Sequence, residues 1–520
     1  MGSVSTGLPE SWAVPLFWAT VDGSLAGNLT QQQPALLVGQ YNSTGGQAGT
    51  ATANVPVAVG SPQLGQLLFG RGSMLDRMCK AFFKVNPNQL LYAVPVADPG
   101  GGAAATGTIT IATASTAAGT LSIYIAGQLV TVSVAAADPV ATVATNLAAA
   151  INANLDLPVT AVAAAGVVTC TCIWKGLTGN DITAIPNYLG ASAGQIFPLG
   201  LTVTIPPPTT TSAWMTTGTG IPTFTTAIAN IQSQQFFYVG MPYNDSATEG
   251  VWSTEYGFGA SGRWSFSRQQ YGFIMNAYRN DYADSITRGL STNQPVISSM
   301  AIEQQAASPT WEWAAAYCGL ASNAFQDDPA RPLQTLEMLG VLPAALAFRY
   351  SQAQLNNLTN SGFAIQAVAP DGNPMILRET TQYQLNSFGQ GDTAFGLLTV
   401  LATLAFLLSD LKSTVTNKFA RVKLVPDGTA YGPGQAIVTP KTIMGELIAR
   451  FVTMMYLGLV SDITDFTNNL VVQIDTTNPN RVNVLWPPQL AGALRIFSLL
   501  AQFRLLYQQN VTGSSTSIGQ

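Results

Sequence analysis

The chain has 520 residues, a length typical of about three or four domains, and only 9% of them are charged. Its 21 Lys and Arg and 26 Asp and Glu give a net charge of −5, so the clustered cations that bind nucleic-acid phosphates are not expected. It contains no histidine, which excludes Ser-His-Asp and Cys-His catalytic systems and histidine-ligated zinc. The composition therefore predicts neither an enzyme nor a nucleic-acid-binding protein.

The four cysteines are too few for a disulfide framework in a chain of this length. Cys79 and Cys318 lie in helix-like surroundings, whereas Cys170 and Cys172 share one face of a predicted strand. A metal site at that strand would lack its other ligands. We therefore interpret all four as small core residues, and we predict no metal and no cofactor.

Residues 1–33 are polar and carry one strand-like patch, VPLFWATV, at 14–21. The proline within this patch and the polar residues on both sides of it argue against an ordinary core strand. A short strand in a polar tail is typical of an arm that pairs with the sheet edge of another chain. A disordered leader is the alternative, and the sequence leaves both open. The first twelve residues, MGSVSTGLPESW, lack the basic and apolar regions of a signal peptide, so no secretory leader is expected.

Residues 34–99 show a strand–helix–strand pattern, which is typical of an α/β core with parallel pairing. PALLVGQY is a bounded apolar run, SMLDRMCKAFFKVNP has one apolar helical face, and LLYAVPV is a second strand. The composition then changes at Gly100, because residues 100–214 are rich in Ala, Thr, Val and Gly. Four alternating strands and one short helix in this region predict an inserted small α+β module that ends in a Pro-rich linker.

The core resumes at 215–390 with predicted helices, strands and a hairpin. The predicted helices include 268–279 (RQQYGFIMNAYR), 310–325, 333–340 (LQTLEMLG) and 351–362, and a buried strand is predicted in FFYVGMP. The hairpin has its turn at AspGlyAsn, residues 371–373. Together these segments predict an α/β core, a mixed sheet with flanking helices.

A separate α+β domain is predicted for residues 391–490. It begins with a long helix from about Asp392, whose apolar part, residues 393–409, is interpreted as buried. A membrane span is the alternative, since the stretch is at the lower limit of about 17 residues. A second helix starts near Pro440, and NNLVVQID and RVNVLWPP form a strand pair. Residues 491–520 contain a final apolar segment followed by a polar tail.

The basic stretch 412–423 is the one feature whose charge indicates a kind of partner. It favours a contact with an acidic partner surface, and an ordinary solvated patch is the alternative. Other features carry less. Two glycine loops lack a phosphate-binding motif, Asp327 and Asp328 are typical of a helix stop, and the aromatic clusters favour packing.

The C-terminal third contains RETTQYQLNSFGQGDTAF, FARVKLVPDGTAYGPGQAIVTPKTIMGELIARF, GLVSDI and NPNRVNVLWPPQLAGALRIFSLLAQFRL, of which DGTAYGPGQAIVTP is the most specific. These segments resemble the tail sheath proteins of Mu-like contractile-tailed bacteriophages. The opening VPLFWATVDGSLAG and the inserted ATVATNLAAAINANLDLPVTAV are also similar to that family. The similarity covers nearly the whole chain.

This resemblance implies a structural, non-enzymatic subunit that forms stacked hexameric rings around a tail tube and contracts to drive the tube through the host envelope. The implied partners are further copies of the chain, a tail tube protein, and baseplate and tail terminator proteins, with neither nucleic acid nor membrane insertion. The implied location is the virion, after assembly in the host cytoplasm. A secreted or surface-displayed adhesin or S-layer-like protein is the alternative, because it would share the charge-poor composition.

In such sheaths the terminal arms lend strands to neighbouring subunits, and a helix of the C-terminal domain faces the tube. The resemblance therefore implies that residues 1–33 and 491–520 are extended arms, that both join a sheet with the C-terminal strand pair, and that residues 391–490 lie near the tube. The implied arm residues are Val14, Leu16, Trp18, Thr20, Ile496, Phe503, Leu505 and Tyr507. The candidate tube contacts are Lys412, Lys418, Arg421 and Lys423.

Overall fold

The computed structural model describes residues 33–44, 46–206 and 214–503. Strands and helices alternate at the start of the described chain, as the sequence predicts. Their bounds are β1 Ala35–Gln40, β2 Val57–Val59, α1 Pro62–Phe69, α2 Met74–Val85 and β3 Leu91–Val96. β1 and β3 pair in parallel, and every residue of β1 is buried, which explains its uninterrupted apolar run.

The next elements form two small sheets and one helix, which confirms the predicted α+β module. Their bounds are β4 Ala104–Thr113, β5 Gly119–Ile125, β6 Gln128–Val134, α3 Val140–Ala153, β7 Val159–Ala164, β8 Val167–Lys175, β9 Ala184–Pro186 and β10 Thr202–Thr204. Within the described chain the strand orders are β10-β4-β8-β7 and β6-β5-β9. Cys170 and Cys172 lie on the same buried face of β8, as predicted.

The chain then returns to the sheet that β1 and β3 began. The bounds are α4 Thr225–Ile231, β11 Tyr238–Gly240, α5 Ser246–Tyr256, β12 Phe273–Asn280, α6 Tyr282–Leu290, β13 Ile297–Glu303, α7 Thr310–Asp327, α8 Gln352–Asn360, β14 Phe363–Val368 and β15 Pro374–Arg378. Over the described residues the order is β15-β14-β13-β12-β11-β1-β3-β2. Pairing is parallel from β14 to β3 and antiparallel at both edges. This confirms the predicted mixed α/β core.

The helix predicted at 268–279 is wrong, because this segment contains strand β12. β12 pairs in parallel with β11 and β13 in the middle of the sheet, and its first five residues are buried. A short apolar run that is buried on both faces has no periodicity that distinguishes a strand from a helix. Hydrogen bonding to the strands on both sides makes this segment a strand.

The helix predicted at 333–340 is also wrong. The backbone N–H groups of Thr335 and Met338 donate to the carbonyl oxygens of Ile376 and Pro374, at 2.8 and 2.7 Å. The segment therefore lies beside β15, and Thr335 has a positive φ of 70° that interrupts any helix. Hydrogen bonds to a neighbouring strand replace those of the predicted helix.

The C-terminal domain contains three helices and several short strands among its described residues. The bounds are α9 Leu398–Phe419, β16 Lys423–Leu424, β17 Ile437–Val438, α10 Pro440–Tyr456, β18 Val460–Ser461, α11 Ile463–Asn469, β19 Val471–Ile474, β20 Val482–Leu485 and β21 Gln489–Leu490. The predicted strand pair is β19–β20, which is antiparallel. α10 begins at Pro440, where Thr439 accepts a hydrogen bond from the Thr442 N–H.

Helix α9 begins at Leu398, later than the predicted start at Asp392. Residues before it return along the end of the central sheet, because Thr381 N–H donates to the Gly396 carbonyl at 3.1 Å. The first half of α9 packs into the core of the central sheet, and Leu407 belongs to the core of the C-terminal domain. α9 is long and apolar enough to span a membrane by length and composition alone, but here its apolar first half contacts protein.

The inserted module shares one hydrophobic core with the central sheet. Trp174 of β8 packs edge-on against Trp311 of α7, with 5.3 Å between ring centroids, and both side chains are buried. Arg77 of α2 is buried, donates from Nε to Glu312 of α7 at 2.7 Å, and donates from Nη2 to the Ala126 carbonyl of the module at 2.5 Å. Apolar packing and paired charge therefore hold the module against the core.

Two carboxylates of the module also bind residues of the core. Asp156 accepts hydrogen bonds from Arg71 at 3.0 and 2.9 Å and from Lys80 at 2.8 Å. Asp181 accepts from Arg279 Nε at 2.8 Å, and also from the N–H and hydroxyl of Thr310, at the start of α7. A carboxylate at a helix N-terminus is favoured by the unpaired N–H groups there. The Pro-rich linker predicted at the end of the module falls largely outside the described residues.

Candidate assembly interfaces

The four candidate tube contacts lie in the second half of α9 and in the residues that follow it. Lys412 and Lys418 lie in the second half of that helix, Arg421 follows it, and Lys423 begins β16. All four are exposed. Six positions along a helix correspond to about 600°, so Lys412 and Lys418 point in directions roughly 120° apart. The structure places the four cations in one region, but not on a single helical face.

The four cations differ in how they are paired. Lys418 Nζ donates to Glu446 Oε1 of α10 at 2.5 Å, and Lys423 Nζ reaches Gln435 Oε1 at 3.5 Å. Lys412 and Arg421 make no side-chain hydrogen bond or ion pair with another described residue. Unpaired exposed cations are available to an acidic partner surface at a smaller desolvation cost than paired buried ones.

The described part of the C-terminal arm presents a dense apolar surface. Residues 491–503 form no helix or strand, and Ile496 and Phe503 are 76% and 81% exposed. Sequence reasoning missed the neighbours that share this exposure, which are Leu494, Phe497, Leu499 and Leu500. The consecutive apolar letters in RIFSLLAQF were the available signal. Six large apolar side chains this close together and this exposed are typical of an interaction site.

The remaining arm candidates, Val14, Leu16, Trp18, Thr20, Leu505 and Tyr507, lie outside the described residues.

The hairpin β19–β20 has free edges within the described part of the chain, because its sheet has two strands there. Val472 is buried against the C-terminal core, whereas Leu485 is 60% exposed. Asp475 holds the turn by accepting hydrogen bonds from the Thr477 hydroxyl, the Asn483 amide and the Thr477 and Asn478 N–H groups, and these bonds lower the pKa of its carboxyl. The hairpin is therefore a pre-formed ladder whose unpaired N–H and C=O groups can accept a further strand.

The chemistry available elsewhere is limited. Burial raises the pKa of all four cysteine thiols, that of Cys170 to about 12, so the reactive thiolate is suppressed. Within the described residues, no group of three or more His, Cys, Asp or Glu is placed to hold a metal ion. A cleft of about 260 Å³ lies between the module and the ends of β11 and β12. Its carboxylates, Asp181 and Asp245, already accept hydrogen bonds from protein donors.

Comparison with known families gives two matches along the chain. Residues 217–381 match the phage tail sheath protein central domain, and residues 390–504 match the phage tail sheath C-terminal domain. The boundary between the two matches falls just before the start of α9, in the stretch that returns along the central sheet.

Individual relatives agree with these matches. The chain is 34% identical over 500 residues to the Mu-like prophage FluMu tail sheath protein of Haemophilus influenzae, covering 96% of this chain and 99% of that protein. A sheath tail protein of Desulfitobacterium hafniense is similar with a TM-score of 0.47 at 13% identity, covering 93% of this chain and 97% of that one. One from Listeria innocua gives 0.45 at 12%, covering 88% and 92%. Both TM-scores are below 0.5, so family membership rests on the sequence identity of 34% and not on these structures.

Proposed function

Because the chain belongs to the phage tail sheath family, we propose that it assembles as stacked hexameric rings around a tail tube and contracts to drive that tube through the host envelope. As a member of that family it is a structural protein of the phage tail, and so a component of the virion. The observation that carries the proposal is identity at 34% over nearly the full length of both chains.

The composition supports assembly from many copies. With 9% of its residues charged, the chain buries few ions when copies pack together, and each unpaired buried ion would cost several kcal/mol. Several of its charges are also already paired within the subunit, as with Arg77–Glu312 and Arg279–Asp181. A surface with few unpaired ions can pack against its neighbours in more than one arrangement. Contraction requires this, because it converts one arrangement of the subunits into another.

The terminal arms are proposed as the links between neighbouring copies. Residues 1–33 and 491–520 would supply strands to the hairpin β19–β20 of another subunit, through main-chain hydrogen bonds. The exposed side chains of Ile496 and Phe503 support this, because pairing with a neighbour would remove them from water. The free edges of the hairpin within the described chain supply the complementary surface.

The cations Lys412, Lys418, Arg421 and Lys423 are proposed to face the tube. Of the four, Lys412 and Arg421 are the strongest candidates because no described residue pairs with them, whereas Lys418 already binds Glu446. Their partner would be an acidic surface of the tail tube protein.

The proposed domain boundaries follow the same organisation. They are 34–99 with 215–390 for the core, 100–214 for the outer module and 391–490 for the tube-proximal domain. We propose baseplate and tail terminator proteins as further partners, assembly in the host cytoplasm, and no enzymatic role. The absence of histidine and the raised pKa of the buried thiols support the last point.

Electron microscopy of the purified chain, alone and co-expressed with a tail tube protein, tests this proposal. Striated hollow tubes or six-fold rings are expected, and their absence in the presence of the tube protein would contradict it. A variant lacking residues 1–22 should fold but give no linked sheaths. Normal tubes from that variant would count against the arm links.

A charge reversal tests the proposed tube contact. Lys412→Glu together with Arg421→Glu should reduce binding to the tube while leaving sheath–sheath assembly intact. Lys84→Glu together with Lys175→Glu is the matched control, because both side chains are exposed but lie in α2 and β8, outside the C-terminal domain. Equal losses in both variants would contradict the assignment of these cations.

A further inference from the structure

The last polar contact of the described C-terminal arm joins Arg495 to Glu379. Glu379 follows β15 and is completely buried, and the Arg495 side chain is 11% exposed. The guanidinium donates from Nη1 to Glu379 Oε2 at 3.1 Å and from Nη2 to Oε1 at 2.5 Å. It also donates to the Thr399 hydroxyl at 3.1 Å. A bidentate pair of this kind fixes both the position and the orientation of the arginine.

Glu379 also occupies the junction between the central sheet and α9. Its carbonyl oxygen accepts a hydrogen bond from the Leu398 N–H at 3.1 Å, and the next residue, Thr380, forms an isolated bridge with Leu397. The backbone of Glu379 therefore holds the first residue of α9, while its side chain holds the arm. One residue joins the central sheet, the C-terminal domain and the arm.

Within the described residues, the polar contacts of the arm end at Arg495. On the N-terminal side, β21 pairs with β18 and the Ala491 N–H donates to the Leu459 carbonyl at 3.0 Å. On the other side, residues 496–503 are all exposed and make no hydrogen bond or ion pair with another described residue. The hydrogen-bonded part of the arm therefore ends at the Arg495–Glu379 ion pair, and the exposed part begins at the next residue.

We propose that the Arg495–Glu379 pair is a clasp that fixes the origin of the C-terminal arm on its own subunit, so that the arm extends to a neighbouring copy only beyond Arg495. The neighbouring copy rests on the proposed function, but the fixed origin does not. Withdrawing Arg495 would leave a buried carboxylate without its counter-charge, which is strongly unfavourable. Tension on the arm is therefore carried to Glu379 and to the start of α9.

Distance measurements between two spin labels on the isolated subunit test the clasp. The four native cysteines are buried, so Phe497→Cys and Leu290→Cys supply exposed labelling sites on the arm and on α6. In this parent the distance distribution should be narrow, because label 497 lies two residues beyond the clasp. With Arg495→Ala added, the distribution should broaden about twofold, since residues 492–497 then gain the mobility of a loop.

Further variants separate the clasp from a general loss of stability. Arg495→Ala combined with Glu379→Gln removes the unpaired charge, so it should restore stability and still give the broad distribution. Glu379→Gln alone keeps one acceptor oxygen for Arg495 but removes its counter-charge, and it should broaden the distribution less than Arg495→Ala does. Arg481→Ala is the control, because Arg481 is exposed and makes only a long contact of 3.7 Å with Asp475. It should leave the width unchanged.

A distribution that is already broad in the parent, or that keeps its width in the double variant, overturns the clasp. Neither outcome depends on assembly. If the subunit forms no tubes with its tube protein, the proposed function fails, whereas the label distances still decide where the arm begins.

Discussion

The inserted module and the C-terminal arm both contact the region of the central sheet, and they are attached in opposite ways. The module shares the hydrophobic core of the sheet and is joined to it by hydrogen-bonded charges such as Arg77 and Asp181. The arm leaves residues 496–503 exposed, and Arg495 makes its last polar contacts among the described residues. The difference shows which parts of a subunit move with its core: those that share buried apolar surface and paired charge, as the module does and the distal arm does not.

Removing the buried side chain of Arg77, which bonds both the module and Glu312, should have the largest of the predicted effects. Arg77→Ala should lower the free energy of unfolding by about 3–5 kcal/mol, because it leaves Glu312 buried without its partner. Urea denaturation followed by tryptophan fluorescence measures this. Arg71→Ala is the control, because Arg71 is 38% exposed and should lower it by about 1 kcal/mol or less. Equal effects of the two substitutions would contradict a buried tie.

The second tie should have a smaller effect. Asp181→Ala removes the acceptor for Arg279 and for the Thr310 N–H at the start of α7, and should lower the free energy of unfolding by about 1–3 kcal/mol. Asp181→Asn keeps one acceptor oxygen and should lose less. The same denaturation series compares the two. If Asp181→Ala has no effect, Asp181 does not hold the module.

The third tie is sensitive to acid. Hydrogen bonds from Arg71 and Lys80 hold the pKa of Asp156 below its ordinary value. Since the folded pKa is the lower one, the stabilisation is present above the unfolded pKa of about 3.9 and is lost as pH falls below it. The difference in unfolding free energy between the parent and Asp156→Asn should therefore stay constant near neutral pH and shrink below about pH 4. A difference that does not depend on pH would contradict this.

The arm should show the smallest effect on folding. Leu499→Ser with Phe503→Ser alters two side chains that are 76% and 81% exposed, so the free energy of unfolding should change by less than about 0.5 kcal/mol. Sheath assembly, followed by sedimentation and electron microscopy, should nevertheless be lost. Loss of subunit stability, or retention of normal sheaths, would place these side chains outside the interface between copies.

Sequence patterns predicted the parts of the fold whose signals are local. The apolar run of β1 and the periodicity of α2 and α10 placed those elements, and the composition change at Gly100 indicated the module. β12 was mistaken for a helix, because burial on both faces removes the alternation that marks a strand. Residues 333–340 pair with β15, which no local pattern reveals.

The candidate interfaces divide in the same way. The exposed cations and the arm segment could be named from the sequence, since charge and apolar runs are visible there. The pairing of Lys418 with Glu446 and that of Arg495 with Glu379 could not, because the partners are far apart in the chain and meet only in the folded protein.

Helix α9 begins in one core and ends in another, and this has a mechanical consequence. Its 22 residues extend about 33 Å, and apolar side chains along it are embedded in the central core at one end and in the C-terminal core at the other. Such a helix acts as a stiff beam, since bending it would break backbone hydrogen bonds and packing together. Torque applied to the C-terminal domain should therefore turn the whole subunit, leaving strain to be taken up in the links between subunits.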